Sequence, residues 1–187
     1  GLPETRGIQM MERTIQFPKG EAVFIDTEGL SSNPLGYDKN IILFALTSSS
    51  HVIINVKNEL LFNDILSLSA IAQLAEYYKS HQLTSFHFPA LTWVIEDYNQ
   101  AVGSSEHELL FNHYLVEKPN PEHNKLIDEY NLIVRTLRSQ FPVQRLFLVP
   151  EPIDDVMQFT SLDTIKFAKL STRYTAVINN IIEWLKS

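Results

Sequence analysis

The amino-acid sequence predicts an α/β fold: one mostly parallel central sheet with helices on both faces, giving three layers. Short β-rich segments alternate with longer segments whose apolar residues recur at helical spacing, which is typical of parallel sheets. Two of the strand-like segments end in acidic residues, at Asp26 and at Glu96-Asp97. The chain has 187 residues, of which 44% are hydrophobic, enough for one core, so we predict a single domain over 1–187.

The chain opens with a predicted hairpin. The segment Gly7–Phe17 and the strand Ala22–Ile25 are separated by the turn formers Pro18-Lys19-Gly20. Because Ala22–Ile25 is a continuous apolar run, we expect that strand to be buried on both faces. Ser, Asn, Pro and Gly then predict a loop over Leu30–Lys39.

A first helix is predicted from about Asn40 to Thr47. The β-rich residues of His51–Val56 predict the next strand, and helical apolar spacing predicts one long amphipathic helix from Asn58 to Tyr78. Phe88–Ile95 is a further predicted strand, and it runs directly into the acids Glu96-Asp97.

The second half of the chain continues the alternation. Ser105 followed by Glu108 is a capping-box pattern and predicts a helix that runs to Leu115. Apolar spacing predicts a helix over Leu126–Leu137, ended by Phe141-Pro142. A strand over Arg145–Val149 and a final helix over Ser171–Leu185 complete the pattern.

Composition excludes several classes of function. The net charge of -7 and the lack of clustered Lys and Arg argue against a nucleic-acid surface. The absence of Cys excludes disulfides and thiolate chemistry, and no apolar run is long enough to span a bilayer. The six histidines show no metal-ligand spacing. We expect the two tryptophans, Trp93 and Trp184, to be core residues.

Five short segments occur in an order that resembles a known family. They are Thr5-Arg6-Gly7-Ile8-Gln9-Met10, Asp26-Thr27-Glu28-Gly29-Leu30, Ala45-Leu46 with Ser48-Ser49-Ser50-His51, Trp93-Val94-Ile95-Glu96-Asp97-Tyr98, and Gln140-Phe141-Pro142. Together they resemble the GTPase domain of the guanylate-binding protein, atlastin and RHD3 group of the dynamin superfamily, over nearly the whole chain. The resemblance implies a P-loop NTPase-like fold that binds and hydrolyses GTP to GDP with Mg²⁺.

The resemblance also implies residue roles. Thr5 matches the switch threonine that binds Mg²⁺ and orients the attacking water, and Asp26 matches the acid that holds the metal through a water. Gly29 matches the γ-phosphate sensor, and Glu28 lies beside it in the water network. Asp97, with Glu96 before it, matches the base-recognition pair, because a carboxylate accepts from both the ring N–H and the exocyclic amine of guanine.

Each of these residues has a plainer reading. Thr5 could be an ordinary residue of a chain terminus, and Asp26 and Asp97 could be turn caps at strand ends. The family resemblance further implies a homodimer formed through the nucleotide face, a cytoplasmic location, and association of the full-length protein with membranes through regions outside this chain.

The sequence departs from the family pattern in two ways. It contains no Gly-x-x-x-x-Gly-Lys-Ser/Thr phosphate loop (P-loop), which the family places upstream of the first residue here. We therefore expect a partial domain that lacks the P-loop and the first central strand. Glu96 stands where the family usually has Arg, and an acid beside Asp97 disfavours its ionised form.

Three hypotheses follow from different classes. The first is a GTP-hydrolysing domain whose P-loop lies outside this chain. The second is a pseudo-GTPase that serves as a protein-interaction module without catalysis. The third, an unrelated flavodoxin-like or hydrolase domain, has no supporting Gly-x-Ser-x-Gly or Gly-x-Gly-x-x-Gly motif.

Overall fold

A computed structural model describes the chain over residues 8–12, 14–17, 20–27, 37–82, 86–99, 103–153 and 165–186. Four short strands come first, and helices and strands then alternate broadly as the sequence predicts, with a π-helix at Leu110–Tyr114 and a 3-10 helix at Phe167–Lys169. The strands are β1 (Ile8–Met10), β2 (Ile15–Phe17), β3 (Gly20–Ala22), β4 (Ile25–Thr27), β5 (His51–Lys57), β6 (Ala90–Glu96) and β7 (Gln144–Leu148). The α-helices are α1 (Tyr37–Ser48), α2 (Phe62–Ser67), α3 (Ser69–Ser80), α4 (Glu106–Leu109), α5 (Lys125–Gln140) and α6 (Thr172–Lys186).

A parallel sheet forms the centre of the structure. Its three strands lie in the order β5-β6-β7, and both neighbouring pairs are parallel. Helices connect the strands, as parallel pairing requires. The predicted α/β class is confirmed at this level, whereas a larger central sheet and a complete three-layer arrangement remain predictions.

The N-terminal strands form two small antiparallel ribbons. β2 pairs with β3, and β1 pairs with β4, so the predicted hairpin is confirmed in outline. The predicted buried strand Ala22–Ile25 is wrong in two respects. The run is divided between β3 and β4, and Val23 between them is exposed. Ala22, Phe24 and Ile25 are only half-buried, because neither ribbon is hydrogen-bonded to the parallel sheet in the described part of the chain.

The hydrophobic core lies between the sheet and helices α2, α3 and α5. Alternate residues of β6, including Trp93 at 1% exposure, belong to this core, which confirms the prediction for that tryptophan. The predicted single helix Asn58–Tyr78 is wrong, because Leu68 separates α2 from α3. Leu68 has a non-helical ψ of 15° and is itself buried, so the break does not interrupt the apolar pattern.

The helix predicted over Ser105–Leu115 begins as expected but changes its winding. Ser105 accepts a hydrogen bond from the backbone N–H of Glu108, and the Glu108 carboxylate accepts one from the Ser105 N–H, which confirms the capping box. After Leu109 the chain continues as a π-helix. The Arg138 guanidinium donates to the carbonyls of Phe111 (2.7 Å) and Leu115 (2.8 Å) and so supports the end of this wide turn.

Helix α6 is attached to the sheet by a buried polar contact. Trp184 Nε1 donates to Thr92 Oγ1 over 2.8 Å, and His51 Nε2 lies 2.6 Å from the same hydroxyl. Thr92 has no solvent exposure, and burial lowers the pKa of His51. Trp184 is only partly buried, so it is a boundary residue rather than the predicted core residue. In the described residues, no helix is long and apolar enough to cross a membrane.

Candidate nucleotide-binding site

The carboxyl ends of β5 and β6 place charged side chains next to each other. Lys57, the last residue of β5, is the register partner of Glu96, the last residue of β6. The backbone N–H of Asn58 donates to the Glu96 carbonyl over 2.7 Å, which holds the two strand ends together. In open α/β sheets, ligands bind at this edge.

Asp97 follows β6 directly and carries the central ion pair of the edge. Its φ of 52° lies in the left-handed region, which aspartate adopts more readily than most residues. Its Oδ2 lies 3.0 Å from Lys57 Nζ. The Asp97 side chain is 27% exposed and that of Lys57 is 70% exposed, so the carboxylate is shielded while the lysine stem extends into solvent.

Glu96 makes a separate contact. Asn55 Nδ2 donates to Glu96 Oε1 over 2.8 Å, so the amide of a neighbouring strand holds this carboxylate. The contact with Asp97 has the largest effect on the pKa of Lys57 and raises it. The negative charges of Glu96 and Glu151 raise the same pKa by smaller amounts. Lys57 therefore contacts one acid, Asp97, and is influenced by the charges of two others.

Backbone and aromatic contacts fix the segment after Asp97. The Tyr98 N–H donates to the Val149 carbonyl over 3.0 Å, and Asn99 Nδ2 donates to Glu151 Oε1 over 3.2 Å. Burial is the largest of the effects that raise the pKa of Tyr114 to about 12, and a hydrogen bond with Tyr98 is one of the smaller ones. These contacts join the loop after β6 to the end of β7.

Asp26 lies on β4, opposite Gln9 of β1, and it is exposed. It lines a cavity of about 1320 Å³ that β4 and β5 border, and within the described residues β5 pairs only with β6. Apolar residues of α1, α3 and β5 line the same cavity, and so does Lys57. Lys57 therefore lines the same cavity as Asp26 and forms an ion pair with Asp97.

Three predicted site residues, Thr5, Glu28 and Gly29, lie outside the described residues, and their roles remain predictions. The described part of the chain contains no group of three or more His, Cys, Asp or Glu residues that could hold a metal. A protein site with a single carboxylate suits Mg²⁺, which usually binds one or two carboxylates, several waters and substrate phosphates. The exposed Asp26 carboxylate on the cavity wall fits that donor set.

Comparison with protein families gives a match over residues 2–187 to the model described as guanylate-binding protein, N-terminal domain. The chain belongs to this family. Comparison with curated proteins found no match. The family is the GTPase domain of guanylate-binding proteins in the dynamin superfamily, so the resemblance of the five segments is confirmed.

Sequence reasoning did not identify Lys57 or Asn55 as residues of this edge. Both lie on a strand whose apolar residues dominate its pattern, and neither belongs to a recognised motif. Their place at this edge follows from the parallel register of β5 and β6, which brings the ends of the two strands together. The register pairs Lys57 with Glu96 and Asn55 with Val94, and the sequence does not specify it.

Proposed function

We propose that this chain is the GTP-binding and GTP-hydrolysing domain of a dynamin-like large GTPase. The observation that carries the proposal is the position of Asp97, a shielded carboxylate at the carboxyl edge of a parallel sheet in a chain of this family. An ionised carboxylate accepts from the two adjacent donors of guanine, and adenine lacks that pair of donors. Asp97, with Glu96 beside it, is the proposed base-recognition element.

The phosphate end of the proposed site involves Asp26. Asp26, through a water, and the Thr5 hydroxyl would hold Mg²⁺, which would supply charge neutralisation at the phosphates. The Thr5 backbone would orient the attacking water, Gly29 would sense the γ-phosphate, and Glu28 would organise nearby waters. The exposure of the Asp26 carboxylate on the cavity wall supports this arrangement.

We further propose that the P-loop is supplied elsewhere in the intact protein, by a segment that occupies the cavity between β4 and β5. At about 1320 Å³ the cavity is larger than ordinary small-ligand pockets, which reach roughly 1,000 Å³. Its walls include β5, which pairs on one side only within the described sheet. An extended segment placed there would satisfy the free backbone groups of β5 and cover apolar side chains.

The family resemblance supports two further parts of the proposal. The protein dimerises across its nucleotide face, and it acts in the cytoplasm, at membranes that it reaches through other regions. Sedimentation of the intact protein with a non-hydrolysable GTP analogue tests the first part, because a nucleotide-dependent increase in mass is expected. Fractionation of cells into cytosol and membranes tests the second.

The central experiment compares Asp97→Asn with Glu129→Gln in the intact protein. Both changes replace a carboxylate by an amide, and Glu129 is an exposed residue of α5 away from the edge. Loss of one charge-assisted hydrogen bond, at about 1.5–3 kcal/mol, lowers guanine affinity about 10- to 150-fold. Fluorescent GTP titration and phosphate release measure binding and hydrolysis. Unchanged guanine preference in Asp97→Asn would remove this residue from the site.

A pseudo-GTPase is the second candidate function. The observation that favours it is the acid Glu96 beside Asp97, where the family pattern has a basic residue. In that case the domain would serve as a protein-interaction module. Calorimetry with GTP and GDP on the intact protein distinguishes the two functions, since tight Mg²⁺-dependent binding with phosphate release supports the GTPase.

A further inference from the structure

Three acids meet at the carboxyl edge of the sheet, and each has its own partner. Asn55 donates to Glu96, Asn99 donates to Glu151, and the Lys57 ammonium pairs with Asp97. The two amides orient their carboxylates without changing the net charge. Lys57 brings a positive charge to Asp97, the acid to which we assign recognition of the guanine base.

We propose that Lys57 is the positioning residue for Asp97. The family pattern has a basic residue before this aspartate, whereas this chain has Glu96, and Lys57 supplies a cation from the neighbouring strand β5 instead. The inference rests on the proposed function. Lys57 is placed for this role by the parallel register, which puts it opposite Glu96. Its ammonium reaches past Glu96 to the following carboxylate over 3.0 Å.

The contact uses only part of the hydrogen-bonding capacity of Asp97. An ionised carboxylate has about four lone-pair sites on its two oxygens, and Lys57 occupies one of them on Oδ2. The remaining sites can accept both donors of guanine. The positive charge of Lys57 also offsets part of the negative charge that Glu96 places next to Asp97.

The lysine also restricts the direction of the carboxylate. Asp97 sits in a left-handed turn, and its side chain is held toward β5 by the ion pair. Among the described residues, the ion pair with Lys57 is the side-chain contact that gives the Asp97 carboxylate this direction. Recognition of the exocyclic amine depends on this orientation, so Lys57 sets discrimination between guanosine and inosine nucleotides, which differ only in that amine.

The test measures the dissociation constants of GDP and inosine diphosphate with the intact protein. Lys57→Met is compared with Lys57→Arg and with Lys125→Met, an exposed lysine of α5. We expect Lys57→Met to weaken GDP binding about two- to fivefold, the range of exposed ion pairs, and inosine diphosphate binding less. Lys57→Arg retains the charge and should remain within about twofold of wild type, and Lys125→Met should have no effect.

The ratio of the two dissociation constants separates positioning from a general structural role. A purely structural effect of Lys57→Met would weaken both nucleotides equally and lower the thermal unfolding midpoint. GDP binding by Lys57→Met that equals or exceeds wild type would overturn the inference, because the lysine would then be inert or would compete with the base. If Asp97→Asn still alters guanine preference in that case, the proposed function stands. If Asp97→Asn also has no effect, the assignment of Asp97 to base recognition fails together with the role of Lys57.

Discussion

Replacing Thr92 by Val tests the buried contact that attaches α6 to the sheet. The change keeps the side-chain shape but removes the hydroxyl, which accepts from Trp184 Nε1 (2.8 Å) and bonds with His51 Nε2 (2.6 Å). Each intramolecular hydrogen bond contributes about 1 kcal/mol, so removal of two predicts a loss of about 2 kcal/mol in the free energy of unfolding. Because Thr92 is fully buried, water cannot replace the hydroxyl at this position.

Urea unfolding monitored by circular dichroism measures this loss. Thr136→Val is the matched control, because Thr136 is also buried but its hydroxyl donates to the Leu132 carbonyl within α5. That carbonyl keeps its ordinary helix partner, so the control should change stability by less than about 0.5 kcal/mol.

A double-mutant cycle with Trp184→Phe assigns the energy to the contact. The coupling energy between Thr92→Val and Trp184→Phe should be about 1 kcal/mol, the value of one hydrogen bond. A loss for Thr92→Val no larger than that of Thr136→Val, or a coupling energy near zero, would show that this contact does not hold α6 in place.

Two further predictions concern pH and a loop. Burial lowers the pKa of His51, so the folded state binds fewer protons than the unfolded state. Stability therefore decreases as pH falls below the ordinary pKa of 6.5, by at most about 1.4 kcal/mol per pH unit. The free energy of unfolding, measured at several pH values, should depend less on pH in His51→Gln than in the wild type. The control His113→Gln alters an exposed residue and should keep the wild-type pH dependence, so equal pH dependence in the two variants would contradict the assignment. Asn131→Ala should cost about 2 kcal/mol, because the Asn131 amide bonds both the N–H (2.7 Å) and the carbonyl (2.8 Å) of Lys118. The exposed Asn180→Ala should cost little in the same denaturation assay, and similar losses in both variants would argue against that bridge.

Local chemistry was sufficient to predict several elements. The apolar period of Leu126–Leu137 and the stop at Phe141-Pro142 identified α5, which ends at Gln140. Ser105 and Glu108 identified a helix start because a capping box is formed by neighbours in sequence. Such features need no information about distant residues.

Other features depend on contacts between distant segments. The sequence did not reveal the break between α2 and α3 at Leu68. Leu68 is buried, so the apolar spacing continues across the break as it would in one helix. Burial of Ala22–Ile25 was overestimated because apolar composition does not say whether a neighbouring strand is present. At the candidate site, Asp97 was predicted from its motif, but its partner Lys57 depends on the register of β5 against β6.

The contact between Trp184 and Thr92 joins residues 92 positions apart, and this separation has a consequence for folding kinetics. Closing a long loop costs conformational entropy before the contact forms, so docking of α6 should be a late event. The two tryptophans report different stages, since Trp93 lies in the core and Trp184 lies at the docking contact. Stopped-flow fluorescence of variants that keep only one tryptophan can therefore measure the rate of core formation at Trp93 separately from the rate of α6 docking at Trp184.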